Sequence, residues 1–245
     1  MRTITLVASS LMLLVSCYGN ANESFTPYWP EGFDGTDNFL EHHRLIHETP
    51  KAKIVDVYIP AKTAEQPHTH MLNSYMFIDQ PTKIAVRLVD EQGNENLVFQ
   101  SSETETVSTE TEVFNVQPEP FHYVTNIDDK DFRAIRVEIK HDIETAKSYI
   151  DWTRDPDLKE IIPNTIWKMP LTRGGISFKL KDEDMILIGN RNTKIEVFNA
   201  DNKGLKPINR IQFSSDRPPV WYLHAGRQYL IGSTEKDSVY YLPLR

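Results

Sequence analysis

Two histidines stand two positions apart in Pro67-His68-Thr69-His70. A third follows a proline-rich turn in Pro118-Glu119-Pro120-Phe121-His122-Tyr123-Val124-Thr125-Asn126. On a β-strand, residues two apart project from the same face, so His68 and His70 present neighbouring imidazoles. Three neutral imidazoles suit Zn, Cu, Ni or Fe and leave coordination positions open to water or substrate. A divalent ion held in this way polarises a carbonyl, lowers the pKa of bound water or, as iron, activates dioxygen. The residues do not choose among these. Tyr75, Tyr123 and Glu119 offer acid or base groups close in sequence to the histidines. Strand neighbours of a ligand point to the opposite face, however, which counts against Tyr123. Asn126 is placed to brace the motif rather than to react, and no catalytic residue is assigned. The spacing of His43 and His47 would suit ligands on a helix, but Leu45 and Ile46 adjoin charges without a helical period. His42, His43 and His47 are therefore read as ordinary polar residues, as are the single His141 and His224.

At these positions the sequence resembles the cupin superfamily, small β-barrels that hold a metal in the barrel mouth. His68 and His70 match the first family motif, and His122 with Asn126 matches the second. The stretch from Glu41-His42-His43-Arg44 through Arg136-Val137-Glu138-Ile139-Lys140 is similar to small bacterial cupin-domain proteins. The resemblance implies one divalent transition metal (Zn, Mn, Ni, Cu or Fe) on His68, His70 and His122, with Ser74, Tyr75 and Asn126 supporting the site. Two departures matter. Ser74, followed by Tyr75, stands where the family carries a glutamate ligand, so the set becomes three histidines without a carboxylate. Cupin thiol dioxygenases and diketone-cleaving dioxygenases have such a ligand set. The motif glycines are also missing, with Pro81 after the first motif and Glu119 before His122.

These residues must be positioned by strands. Short β-branched and aromatic runs recur between Pro, Gly, Asn and Asp, at 54–59, 74–78, 83–89, 113–116 and 132–139. In the last run Ile135, Val137 and Ile139 alternate with Arg136, Glu138 and Lys140, the period of a strand with one buried face. Similar runs return at 176–181, 185–188, 194–198, 208–213, 220–223 and 239–242. Residues 101–112, polar and rich in Thr and Glu, receive no function. Two local matches keep their order. Thr82-Lys83-Ile84-Ala85-Val86 with Asp90 and Gly93 parallels Thr193-Lys194-Ile195-Glu196-Val197 with Asp201 and Gly204. His122-Tyr123-Val124 parallels Gln228-Tyr229-Leu230. We therefore expect an all-β fold, a cupin-type β-barrel (jelly roll) duplicated as two cupin-like domains. The expected boundaries are a signal peptide at 1–21, a metal-binding domain at 22–145, a charged linker with short helices at 146–163, and a degenerate cupin-like domain at 164–245. In that second half Gln228 replaces His122, and Lys179-Leu180-Lys181 lies near the expected His-x-His, so no metal site is expected there.

Composition bounds the partners. The chain has 245 residues, 39% hydrophobic and 25% charged, which is enough for a sizeable core. A net charge of −8 excludes an extended phosphate-binding surface, so nucleic acid is not an expected partner. Arg2 followed by the apolar run 3–16 reads as a secretory signal, too short to span a membrane. Leu14-Val15-Ser16-Cys17 resembles a bacterial lipobox, which would make Cys17 a lipid-anchored first residue. Cleavage after Gly19-Asn20-Ala21 is the competing reading. Cys17 is the only cysteine, so either reading leaves the mature domain without thiolate chemistry or disulfides. Export of an unfolded chain means that metal is acquired outside the cytoplasm, where Zn and Cu compete strongly with ferrous iron for imidazoles. The expected protein is exported, periplasmic or anchored at the cell envelope, with edge-strand pairing into a homodimer left open. Its expected partner is a small oxygen-rich or carbonyl compound, transformed by oxygenation, isomerisation or lyase chemistry. The alternatives are a non-catalytic ligand- or metal-binding module and a structural envelope protein.

Overall fold

The computed structural model describes residues 42–102, 111–140, 150–152, 157–171, 175–190, 194–201, 204–211, 217–233 and 237–244. The leader, Cys17 and the competing cleavage position lie outside these residues. Those described form nineteen strands and no helix. The chain divides into two compact units, Met1–Glu48 with Lys53–Lys140, and Thr49–Ala52 with His141–Arg245.

The first unit contains β1 (His43–Glu48), β2 (Ala52–Ile59), β3 (His68–His70), β4 (Ser74–Gln80), β5 (Ile84–Val89), β6 (Glu95–Gln100), β7 (Glu112–Val116), β8 (Glu119–Asn126) and β9 (Phe132–Ile139). One sheet runs β1-β2-β9-β4-β7 and the other β3-β8-β5-β6. Apart from β1, the partners nest: β2 lies beside β9, β4 beside β7, β3 beside β8 and β5 beside β6. A long hairpin rolled into two sheets gives this order, the jelly roll, in which full wrapping leaves few strand edges open. Alternation sets the interior. Val55, Val57 and Ile59 of β2 pack with Phe132 and Ala134 of β9, and Leu45, Met76, Ile78, Ile84 and Val124 close around them.

The second unit contains β10 (Ile150–Trp152), β11 (Lys159–Ile162), β12 (Ile166–Leu171), β13 (Ile176–Leu180), β14 (Asp184–Gly189), β15 (Ile195–Asp201), β16 (Gly204–Pro207), β17 (Val220–Leu223), β18 (Gln228–Ser233) and β19 (Asp237–Leu244). Its sheets run β10-β13-β18-β15-β16 and β11-β12-β19-β14-β17. Removing β10 and β11 leaves β12 beside β19, β13 beside β18, β14 beside β17 and β15 beside β16. This is the nesting of the first unit, so the fold is a duplicated jelly roll, as the repeats in the sequence predict. Residues 150–152 and 159–162, in the segment read as a linker with short helices, form strands instead. The backbone pairing of β10 with β13 and of β11 with β12 overrides their charged composition.

Strand β9 departs from the one-faced pattern. Ile135, Val137 and Ile139 are buried, but Arg136 and Glu138 are too, at 2% and 1% exposure. Charges are tolerated there only when paired and hydrogen-bonded, and their partners belong to the histidine site.

Candidate metal centre

Strands β3 and β8 pair with His68 directly opposite His122, and the register shifts before His70. All three histidines are buried. The ring centroids of His68 and His70 are 4.8 Å apart, those of His68 and His122 4.7 Å, and those of His70 and His122 5.9 Å. The strand thus brings together the three residues that the spacing singled out.

Each ring is oriented by its Nδ1. His68 Nδ1 lies 2.8 Å from the Gln66 carbonyl, and His122 Nδ1 2.8 Å from the Pro120 carbonyl. His70 Nδ1 lies 2.7 Å from Glu138 Oε1. Carbonyl and carboxylate oxygens only accept, so all three Nδ1 atoms donate. Burial, followed by the His122 charge, pushes His68 down to about 3. Burial, followed by Arg136, holds His70 well below the usual imidazole range. Both rings are therefore neutral and carry no hydrogen on Nε2. Yet the two Nε2 atoms face each other at 3.1 Å, lone pair against lone pair. Two nitrogens bound to one ion at about 2.0–2.1 Å would be separated by about 2.9 Å at a right angle and about 3.3 Å in a tetrahedron. The His68 and His70 pair therefore fits two ligands of one divalent transition metal.

The site reaches further than the three predicted residues. One ring nitrogen each of His43, His68 and His70 lie within 4.8 Å of one another, and a second group of the same compactness joins His70, Glu119 and His122. His43, read from the sequence as an ordinary polar residue, is 3% exposed and lies 4.5 Å from His68 and 5.2 Å from His70, centroid to centroid. The helical-ligand spacing of His43 and His47 was the wrong test, because β1 is a strand and its pairing with β2 turns His43 inward beside Val57. Its Nδ1 has no hydrogen-bond partner and lies 3.6 Å from Glu65 Oε1. Burial pushes the Glu65 carboxyl up to about 8, and Glu65 Oε2 accepts the Val124 amide at 3.0 Å.

Arg136 ties the carboxylates together. Its Nη1 donates to Glu119 Oε2 at 2.7 Å, and its Nε lies 3.5 Å from Glu138 Oε1. Burial alone would raise the Glu119 pKa, but Arg136 and then His122 hold it below the usual carboxylate range. Glu119 Oε1 lies 3.8 Å from His122 Nε2. Ser74, where the resemblance places a glutamate, is fully buried and stands opposite Glu138 in the β4–β9 ladder. A carboxylate is thus present one strand over, where it meets the far nitrogen of His70. Tyr75 alternates to the face opposite Ser74 and is not brought to the cluster. Tyr123 likewise points away from His122, donating to Glu95 Oε2 at 2.6 Å. Asn126 braces the strand end: its Nδ2 faces the carbonyls of Ile59, Pro60 and Lys130 at 3.0, 3.2 and 2.7 Å, and its Oδ1 accepts the Asp128 amide.

The second unit fills the equivalent space. Ile84 pairs with Asn126 in the first unit and Ile195 with Ser233 in the second. With Ile84 matched to Ile195, Tyr229 falls at the place of His122. Phe178 pairs with Tyr229 as His68 pairs with His122. The sequence match to Gln228 and to Lys179-Leu180-Lys181 is therefore out of step by one residue, since a one-residue slip exchanges the two faces. Phe178 and Tyr229, centroids 5.8 Å apart, stand in for the imidazole pair. With Leu180 they join a core that includes Met169, Leu187 and Trp221. The Tyr229 hydroxyl is satisfied by the backbone of His224.

No protein-family model and no curated protein matches the sequence. Among solved structures, the chain is similar to oxalate decarboxylase from Lactobacillus farciminis, with 9% identity over 82% of this chain and 80% of that one and a TM-score of 0.47. It is similar to the vicilin of Solanum lycopersicum, with 10% identity over 79% and 74% and a TM-score of 0.48. A cupin domain from Bordetella pertussis Tohama I covers 40% of this chain and 92% of its own length, at 14% identity and a TM-score of 0.32. Similarity at this level speaks to fold alone, and the nested strand order defines the class: two jelly rolls in tandem. The first roll holds a histidine cluster and the second an apolar core.

Proposed function

We propose that the first unit is a metal-binding cupin module holding one divalent transition metal on His68, His70 and His122, and that it acts on a small oxygen-rich or carbonyl compound. The observation that carries this reading is the 3.1 Å approach of His68 Nε2 and His70 Nε2 in buried rings whose Nδ1 atoms face acceptor oxygens. Such an ion would supply Lewis acidity toward a carbonyl or a bound water. The chain's own residues orient the site: Gln66, Glu138 and Pro120 accept from the three Nδ1 atoms of the buried rings. The reaction class extends to oxygenation, isomerisation or lyase chemistry. A second reading, binding without turnover, draws on the engagement of every carboxylate near the cluster. Glu138 is held by His70 and Arg136, Glu119 by Arg136, and Glu65 by the Val124 amide. We also propose export through the leader at 1–21, with Cys17 lipidated or the chain cut after Ala21. Mass analysis of the mature N-terminus separates the two.

Elemental analysis of the chain from Asn22, purified without added metal or chelator, tests the site. About one transition-metal ion per chain, lost in His122→Ala, is the expected outcome. A metal-free wild type that also fails to load with Zn, Mn, Ni, Cu or anaerobic Fe would sink the reading. Turnover of small carbonyl compounds by the loaded protein then separates enzyme from binding module.

A further inference from the structure

We propose that the site takes a fourth imidazole, His43, from a strand outside the eight-stranded roll, and that Glu65 positions its ring. This rests on the metal reading above and extends it to the complete ligand set. His43 is brought in by β1, which pairs with β2 so that His43 stands beside Val57, a residue of the interior. One of its ring nitrogens lies within 4.8 Å of nitrogens on both His68 and His70. His43 Nδ1 is buried without a hydrogen-bond partner, an arrangement that costs stability unless a small movement gives it one. Glu65 Oε1, 3.6 Å from His43 Nδ1, is within a small side-chain adjustment of accepting a hydrogen from that nitrogen. This would leave His43 Nε2 for the ion, with the Glu65 carboxyl behind the ring as the Glu138 carboxylate stands behind His70.

The competing fourth donor is Glu119. Arg136 holds one of its oxygens at 2.7 Å, and the other stays 3.8 Å from His122 Nε2. Ser74 offers no carboxylate. The engagement of Glu119 by Arg136 favours nitrogen at the fourth position, and an all-imidazole set favours Zn, Cu and Ni over Mn, which prefers oxygen donors.

X-ray absorption at the Zn edge on the loaded wild-type chain counts imidazoles without a variant. Four per ion is the expected result, and three overturns the proposal. Chelator competition then compares Zn affinity in wild type, His43→Gln and Glu119→Gln, with far-ultraviolet circular dichroism establishing that each is folded. His43→Gln should weaken Zn by about tenfold or more, and Glu119→Gln should leave it nearly unchanged. An affinity of His43→Gln within twofold of wild type, or a loss in Glu119→Gln alone, overturns His43 while His122→Ala still reports on the three-imidazole reading. Failure of the wild type to bind Zn overturns both.

Discussion

In the proposed metal site, Glu138 would take over, from the far side of His70, part of what a glutamate at Ser74 would do directly. By accepting the Nδ1 hydrogen at 2.7 Å it fixes the tautomer and makes the ring a stronger donor. Glu138→Gln keeps the shape and removes the charge. The expected outcome is a loss of about 10- to 100-fold in metal affinity, read by chelator competition with the fold intact. Affinity within twofold of wild type would show that Glu138 serves packing alone. His68, His70 and His122 were legible in the sequence because two of them share a strand face and the third opens a strand after a turn. His43 and Glu138 were not, because each reaches the cluster through a ladder between strands remote in sequence. Arg136 and Glu138 even imitate the exposed half of an alternating strand.

At the scale of elements, many strands were legible from β-branched runs and turn residues, but β1, β6, β12, β16 and β18 were not. Residues 208–210 of the run read at 208–213 form no strand, and register was not legible. The match of His122 to Gln228 misses by one position because identities at strand ends do not fix which face a residue takes. Strands β10 and β11 escaped notice since charged, short segments carry little periodicity. Strand β14 shows how such a ladder is locked at its end. Burial alone would raise the Asp184 pKa, but the Ala225 amide at 2.8 Å and the Tyr222 hydroxyl at 2.7 Å bond the charged form and hold it below its ordinary 3.8. A carboxyl whose folded pKa is depressed adds stability that is present in full above its unfolded value and fades as pH falls through the folded one. Wild type should therefore lose more stability than Asp184→Asn as pH falls below about 5, measured by urea unfolding. Parallel losses in the two proteins would contradict this.

For the whole molecule, duplication of the nested strand order accompanies a division of contents. One interior keeps charged and imidazole groups, and the other replaces them with Phe178, Leu180 and Tyr229. The duplication was legible from two short matches, but the replacing residues were not, because naming them requires the pairing of β13 with β18. Loading should accordingly stop at about one ion per chain, with the second unit contributing none.

The nesting also governs the order of events when the chain folds. His70 and Glu138 are separated by 68 positions, and from the nested order β3 is expected to pair with β8 after the hairpins between them. The unfolded chain offers an ion only local histidine pairs such as His68-Thr69-His70 and His42-His43, and contacts so distant in sequence form slowly. An ion that binds chiefly the finished site acts on escape rather than on arrival. In stopped-flow experiments, saturating Zn should slow unfolding of the first unit markedly and leave its refolding rate nearly unchanged. Equal acceleration of refolding would mean that the ion gathers the strands before they pair.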